Sequence, residues 1–338
     1  MPQNTQDSSF KDSTQSTESL HQRFNKALQT LANKALDSKP KIIAILGSSG
    51  SGKTALAHDI ALQKGCEIFS LDSLGIYKGF DIASAKPTPL EKTQVCYHAL
   101  DVLNPSEKSN ALLFYTLLCE CVLHLKPDTP LLIVGGSSFF LKSIIEGLSP
   151  MPDLQGYEKW IESLGSLQEC YAFLCSIDKE FAQKIAPQDT YRIHKALSLY
   201  KATQLKPSEY FATHKPLPFP LPLEIFALDK PKDELRADIL KRSQKMIEQG
   251  IVEEIKEIVE AYGEGIPPLN AIGPKECVAF LQGRIKSLES LKQELFFHTC
   301  QLAKRQATFN RTQFHKITLL PKQDLQKELY KLLSTPNL

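Results

Sequence analysis

The sequence predicts an α/β fold, a parallel sheet flanked by helices and interrupted by a helical insertion, on three observations. Ile42 to Leu46 is an apolar, β-branched run that reads as a strand buried on both faces. It leads directly into Gly47-Ser-Ser-Gly-Ser-Gly-Lys-Thr54, which fits G-x-x-x-x-G-K-[ST], and an amphipathic stretch follows from Ala55 to Leu62. Further apolar runs then alternate with helical patterns, the order that builds a parallel sheet with ligands at the carboxyl ends of its strands. At 338 residues and 42% hydrophobic, the chain can bury one large core and an insertion.

The glycine loop predicts a phosphate site. Gly47, Gly50 and Gly52 let the backbone of Ser48, Ser49 and Ser51 turn its N–H groups toward an anion, and the following helix offers its positive end to the same place. Lys53 is placed to neutralise a terminal phosphate, and the Thr54 hydroxyl to hold Mg²⁺.

In chain order, residues 1–20 are rich in Ser, Thr, Gln, Asn and Asp and cannot form a core. Leu20, Phe24, Leu28 and Leu31 give 20–36 a helical pattern, expected to dock loosely. After the loop, Cys66 to Leu71 reads as a second strand ending in Asp72-Ser73, and 73–90 as a loop. His98 to Leu103 is a short strand or turn, Leu112 to Leu125 a buried helix, and Leu131 to Val134 a strand running into Gly135-Gly136-Ser137-Ser138. Pro150-Met-Pro152 marks a boundary, and only helical patterns follow up to the proline-rich run Lys215 to Pro222. Leu223 to Leu228 returns to the sheet, with helices near 232–249, 251–262, 274–282 and 288–312 and a last strand at Ile317 to Leu320. The expected organisation is an extension at 1–38, a core from 39–150 and 221–325, and a helical insertion at 151–220.

Net charge is +2, so bulk charge names no partner. The eight cysteines include no C-x-x-C pair. Cys119, Cys121 and His124, with Cys96 and His98, suggest a zinc site, but residues two apart face different ways on a helix, and reduced thiols are favoured. No apolar run approaches a membrane span and no signal-peptide pattern opens the chain, so no membrane partner and a reducing cytoplasm are expected.

Convergence of strand ends places Asp72 and Gly136-Ser137 beside the glycine loop. Asp72 suits a general base, or equally a helix cap. The strand ending Ile133-Val134-Gly135-Gly136 lacks the carboxylate that a hydrolytic P-loop ATPase commonly places there; its glycines suit close approach of a bulky ligand, and the Ser137 hydroxyl a phosphate or leaving group. Lys304 and Arg305, with Arg311 and Lys316, form one basic cluster, and Arg192, His194 and Lys195 a second. Two such patches suit nucleic acid.

These residues resemble the tRNA dimethylallyltransferases. The resemblance runs through Gly47–Thr54, Asp72-Ser73, the segment Ile76–Pro87, Val134-Gly-Gly-Ser-Ser-Phe-Phe140, Ile145-Glu-Gly-Leu-Ser149, Asp189-Thr-Tyr-Arg-Ile193 and Gln301-Leu-Ala-Lys-Arg-Gln-Ala-Thr308, covering about 40–320. It implies a P-loop kinase-like core and transfer of a dimethylallyl group from its diphosphate to N6 of an adenosine beside the tRNA anticodon. Asp72 matches the family's general base, Ser137 stands where a Thr is usual beside diphosphate and base, and residues 47–54 with Lys53 hold the diphosphate with Mg²⁺. Asp72, Ser73, Leu74 and Gly75, Tyr191, Arg192, Ile193, His194 and Lys195, and Asn270, Gly273 and Lys275 match segments that touch tRNA. With Lys304 and Arg305 they are the expected contacts to the anticodon stem-loop.

The chain also departs from the family pattern. Gly75 replaces a frequent Gln, Pro274 a Tyr and Phe309 a Trp. Asp238 falls where a diphosphate-binding Arg is usual, leaving Arg236 or Arg242 to compensate. A monomer is expected. Prenyl transfer to free adenine nucleotides, a small-molecule kinase and a nucleotide-gated RNA-binding module are the alternative readings.

Overall fold

The computed structural model describes residues 19–33, 40–154 and 156–334. Six strands make one sheet: β1 (Ile42–Gly47), β2 (Glu67–Leu71), β3 (Tyr97–His98), β4 (Leu131–Gly135), β5 (Glu224–Leu228) and β6 (Thr318–Leu320). Their order is β3-β2-β4-β1-β5-β6, and every neighbouring pair is parallel. β1 lies between β4 and β5, so both its edges are paired, and all six of its residues are buried, those of both faces alike, which is why its sequence is a continuous apolar run rather than an alternating one.

One face of the sheet packs Ile43, Ile45, Ile68 and Leu132 against Leu56 and Ile60 of the helix Lys53–Lys64 and against Leu325 and Leu329 of the last helix, Lys322–Ser334. The helix Ala111–His124, with eight of its residues buried, packs in turn against the first helix, Leu20–Asn33. That first helix does not dock loosely: Phe24 and Leu31 are each 1% exposed, and Phe24 meets Tyr115 edge to face at 4.9 Å. Arg23 reinforces the contact with paired hydrogen bonds to both oxygens of Glu120. Residues 1–18 and 34–39, which include most of the expected extension, lie outside the described residues.

The stretch 98–103, expected as a short strand or turn, is strand only at His98 and turn thereafter. Ala99 and Asp101 take left-handed φ values of 59° and 56°, which turn the chain out of the sheet after His98. Leu103 bridges back to Tyr77 instead.

The chain divides into two units, one made of the described residues up to Ser143 and from Pro220 onward, the other of Ile144–Phe219. The second begins before the expected 151 because the segments entering and leaving it pair: Leu217 N–H donates to Leu148 and Phe219 N–H to Ile144. Gly147 permits this crossing, since a Cβ there would stand 2.4 Å from the Leu217 carbonyl carbon. The second unit has its own core, including Ile161, Leu174, Ile193 and Leu197. Among the described residues no helix is long and apolar enough to cross a membrane.

Candidate active site

β1 delivers the glycine loop at its carboxyl end. Gly50 and Gly52 hold φ of 83° and 89°, a region closed to most side chains, and a Cβ on Gly50 would also meet Ile239 at 2.7 Å. The helix Lys53–Lys64 starts at once, so its free N–H groups and positive end face the loop. Lys53 is 9% exposed, with Nζ 3.5 Å from the Ser48 carbonyl. Burial draws its ammonium down to about 8; Asp72 opposes this and Arg242 adds to it. Thr54 is exposed and lines the same cleft as Lys53, Asp72 and Arg242.

The loop is also laced from behind by the long helix Leu288–Gln313. The Ser48 hydroxyl donates to Ala303 O at 3.0 Å, and Ser49 N–H donates to Gln306 Oε1 at 2.8 Å. Ser49 was expected to offer that N–H to a phosphate; here Gln306 takes it. Ser51 Oγ is buried without a partner among the described residues.

At the end of β2, Asp72 Oδ1 accepts from Leu74 N–H at 2.9 Å and Gly75 N–H at 3.0 Å. One carboxylate oxygen thus shapes the turn, and Oδ2 is left for chemistry. No helix follows Asp72 directly, so Oδ1 holds a turn in place of the expected helix cap. Ser137 Oγ accepts from Ser73 N–H at 3.2 Å, tying the β4 end to the β2 end.

The paired glycines of β4 serve the protein more than a ligand. A Cβ on Gly135 would stand 1.9 Å from Leu71 O, and one on Gly136 would stand 2.5 Å from Gln306 Nε2, which itself donates to Gly136 O at 3.0 Å. Gln306 therefore bridges the glycine loop and the β4 turn. It lies inside the 301–308 segment yet was assigned no role from sequence, because a neutral amide carries no charge or motif to mark it.

The two arginines left open by Asp238 line different clefts, and Arg242 shares one with Asp72. It lines the cleft with Lys53 and Asp72, and burial depresses its pKa while the Asp72 carboxylate raises it. Arg236 stacks over Phe296 at 5.2 Å, and Asp238 pairs with Lys230. Beside Asp72 and Arg242 opens a cleft of about 330 Å³ whose walls include Phe139, Phe140, Met246, Leu295 and Leu302. A cleft lined by Lys53 and Arg242 thus adjoins an apolar chamber, with the Asp72 carboxylate at the junction.

A profile of the IPP transferase family matches residues 75–313. The chain belongs to the IPP transferase family. It is 60% identical over 292 residues to a tRNA dimethylallyltransferase of Helicobacter hepaticus, covering 86% of this chain and 97% of that one. It is 49% identical to the enzyme of that name from Helicobacter pylori strain 26695, covering 82% and 89%. Among solved structures it resembles a full-length tRNA isopentenylpyrophosphate transferase from Bacillus halodurans (TM-score 0.63, 26% identity, 87% and 95% covered). It also resembles a eukaryotic dimethylallyltransferase described as acting on tRNA (TM-score 0.73, 25% identity, 85% and 75% covered). The parallel sheet with its glycine loop is the P-loop-like fold of this IPP transferase group.

The residues expected to touch tRNA scatter in burial. Ser73 is exposed on the cleft rim, whereas Leu74 and Gly75 are buried in the turn that Asp72 caps. Gly273 lines the apolar cleft at φ 104°, Asn270 and Lys275 are exposed, and Pro274 opens a helix at a position where no N–H is required. Lys304 and Arg305 are exposed, and Lys304 faces a separate groove with Arg236. In the insertion, Tyr191, Arg192 and Lys195 are exposed and His194 is half-buried. Ile193 is 0% exposed, a core residue of that unit and not a surface contact. Its apolar side chain within an otherwise polar run was the available signal.

Proposed function

We propose that this chain transfers a dimethylallyl group from dimethylallyl diphosphate to N6 of an adenosine next to the tRNA anticodon. The observation that carries it is the junction of Lys53, Arg242 and the glycine loop with an apolar cleft, at Asp72. The loop and the two cations hold the diphosphate and stabilise the charge that grows as it leaves. The walls around Phe139, Phe140 and Leu302 surround the allylic carbon as it gains cationic character, excluding water that would capture it. The N6 lone pair is delocalised into the ring, so the amine is a weak nucleophile. Asp72 Oδ2 orients it and accepts its proton as the C–N bond forms, while Oδ1 stays fixed by the turn. A stacked base cannot enter such a cleft, so the adenosine is extruded from the loop.

Magnesium fits this arrangement: Thr54 presents its hydroxyl on the cleft beside Lys53, with the Asp72 carboxylate lining the same space. Bound with the diphosphate, it would offset negative charge on the leaving group. The test is incubation with labelled dimethylallyl diphosphate, Mg²⁺ and either bulk tRNA or AMP. Label in tRNA alone supports the reading; label in AMP alone moves the function to free nucleotides. ATP-dependent phosphorylation without prenyl transfer would make the chain a kinase.

A further inference from the structure

At the opposite end of β2 from Asp72, a second group of side chains converges with no part in this chemistry. Glu67 opens β2, and His98 lies on the edge strand β3, whose register sets it opposite Phe69. Residues 67 and 69 share a face of their strand, as do 96 and 98, so Glu67, Cys96 and His98 all point to one side. Their ligand atoms lie within 4.8 Å of one another. His98 Nε2 is 2.6 Å from Glu67 Oε2 and 3.6 Å from Cys96 Sγ.

We propose that Glu67, Cys96 and His98 form a zinc site at the edge of the sheet, with water as the fourth ligand. One imidazole N–H needs one acceptor, and Glu67 supplies it; the Cys96 thiol at the same ring nitrogen is superfluous for an ion pair but adds a third donor. A thiolate, an imidazole and a carboxylate, with water completing the tetrahedron, suit a borderline-soft ion. Zinc bonded at about 2.3 Å to sulfur and about 2.0–2.1 Å to nitrogen holds those two atoms about 3.6 Å apart, the spacing already present between Cys96 and His98. The Glu67–His98 edge must open by about 0.7 Å as its hydrogen bond gives way to two metal bonds. Binding releases the Cys96 thiol proton and the proton shared by His98 and Glu67 to solvent, leaving a neutral site.

The site's place in the fold gives it a use. β3 is a two-residue edge strand, held by a short ladder to β2 alone, with the chain turning away directly after it. A metal bonded to β2 and to both ends of the Cys96–His98 stretch would pin that edge.

The test uses the full chain stripped of metal by a chelator, then titrated with Zn²⁺ against a chromophoric indicator and separately with Co²⁺. The expected result is one equivalent bound, thiolate-to-Co²⁺ absorption with a tetrahedral visible band, and a higher Tm with zinc. Cys96→Ser, at an exposed position that does not threaten folding, should weaken zinc binding roughly a hundredfold or more and abolish the Tm rise. Cys175→Ser, in the other unit, should change neither. Absence of stoichiometric binding, or zinc affinity unaltered in both Cys96→Ser and His98→Ala, overturns the site and leaves a His98–Glu67 ion pair only.

Discussion

Lys53 carries a cost that its place in the cleft explains. Burial lowers its pKa from 10.5 to about 8, so the folded chain holds the charged form less well than the unfolded chain does. The sign follows: below about pH 8 the charge is present in both states and the penalty is full, and it fades as pH rises toward 10.5. Lys53→Met should therefore raise stability at pH 7 by up to roughly 3 kcal/mol, the gain vanishing at high pH, while transfer activity collapses. Denaturant unfolding at pH 7 and pH 10 checks it; equal gains at both pH values would contradict the assignment. Asp72→Asn keeps the turn, since its amide oxygen can still accept from Leu74 and Gly75, but removes the proton acceptor. The expected loss in kcat is roughly 10²–10⁴-fold with tRNA affinity little changed, and near-normal single-turnover rates would sink the base role. Both residues were legible in the sequence because each ends or follows a strong apolar run. Arg242 was not, because which of Arg236 and Arg242 shares the cleft of Asp72 depends on the phase of the helix Lys232–Glu248 around its axis, which only packing fixes.

At the scale of elements, the strands read well and the junctions did not. β1 and β4 announce themselves as uninterrupted apolar runs, whereas β3 is two residues long and stops on left-handed backbone that Ala99 and Asp101 do not advertise. The helix Thr190–Thr203 shows a second limit. Its sequence gave a basic cluster, yet Ile193 faces inward while Tyr191, Arg192 and Lys195 face solvent. Arg192 Nε sits 3.5 Å from Asp189 Oδ2, and Lys195 lies over the Tyr191 ring at 5.8 Å. The Arg192 side chain is 66% exposed, so this ion pair contributes little stability and leaves most of the guanidinium donors for a phosphate. Replacing Arg192 and Lys195 together with Ala should leave Tm nearly unchanged. It should weaken tRNA binding across sequences, and the slope of log K against log salt should flatten by roughly 1.5–2. Tm and tRNA affinity at several salt concentrations separate the two roles: a lower Tm with an unaltered slope would make Arg192 a structural partner of Asp189.

For the molecule as a whole, a line of aromatic packing connects the first helix to the active-site cleft. Phe24 meets Tyr115 at 4.9 Å on the helix Ala111–His124, and the neighbouring Phe114, 0% exposed, meets Phe140 at 4.9 Å. Phe140 in turn lines the apolar chamber beside Asp72. The sequence showed the apolar stripe of 20–36 but not its partner, because the stripe fixes which face is buried and says nothing of what covers it. Deletion of residues 1–18 removes a segment too polar to bury surface, and Tm and activity should stay as they are. Deletion through residue 33 is a different case. It removes Phe24, Leu28 and Leu31 from the helix they cover, a loss of several kcal/mol in burial, offset in part by the freedom of a shorter chain. The expected fall in Tm is roughly 5 °C or more, with new binding of a hydrophobic dye. Because Phe114 and Tyr115 share that helix, Phe140 should lose its firm backing, and water should gain access to the allylic intermediate. The longer truncation should then release free dimethylallyl alcohol during turnover, at temperatures where the shortened chain is still folded. A Tm unchanged by the longer deletion would show that the first helix contributes no stability; a lowered Tm with clean transfer to tRNA would confine its role to stability and break the link to the cleft.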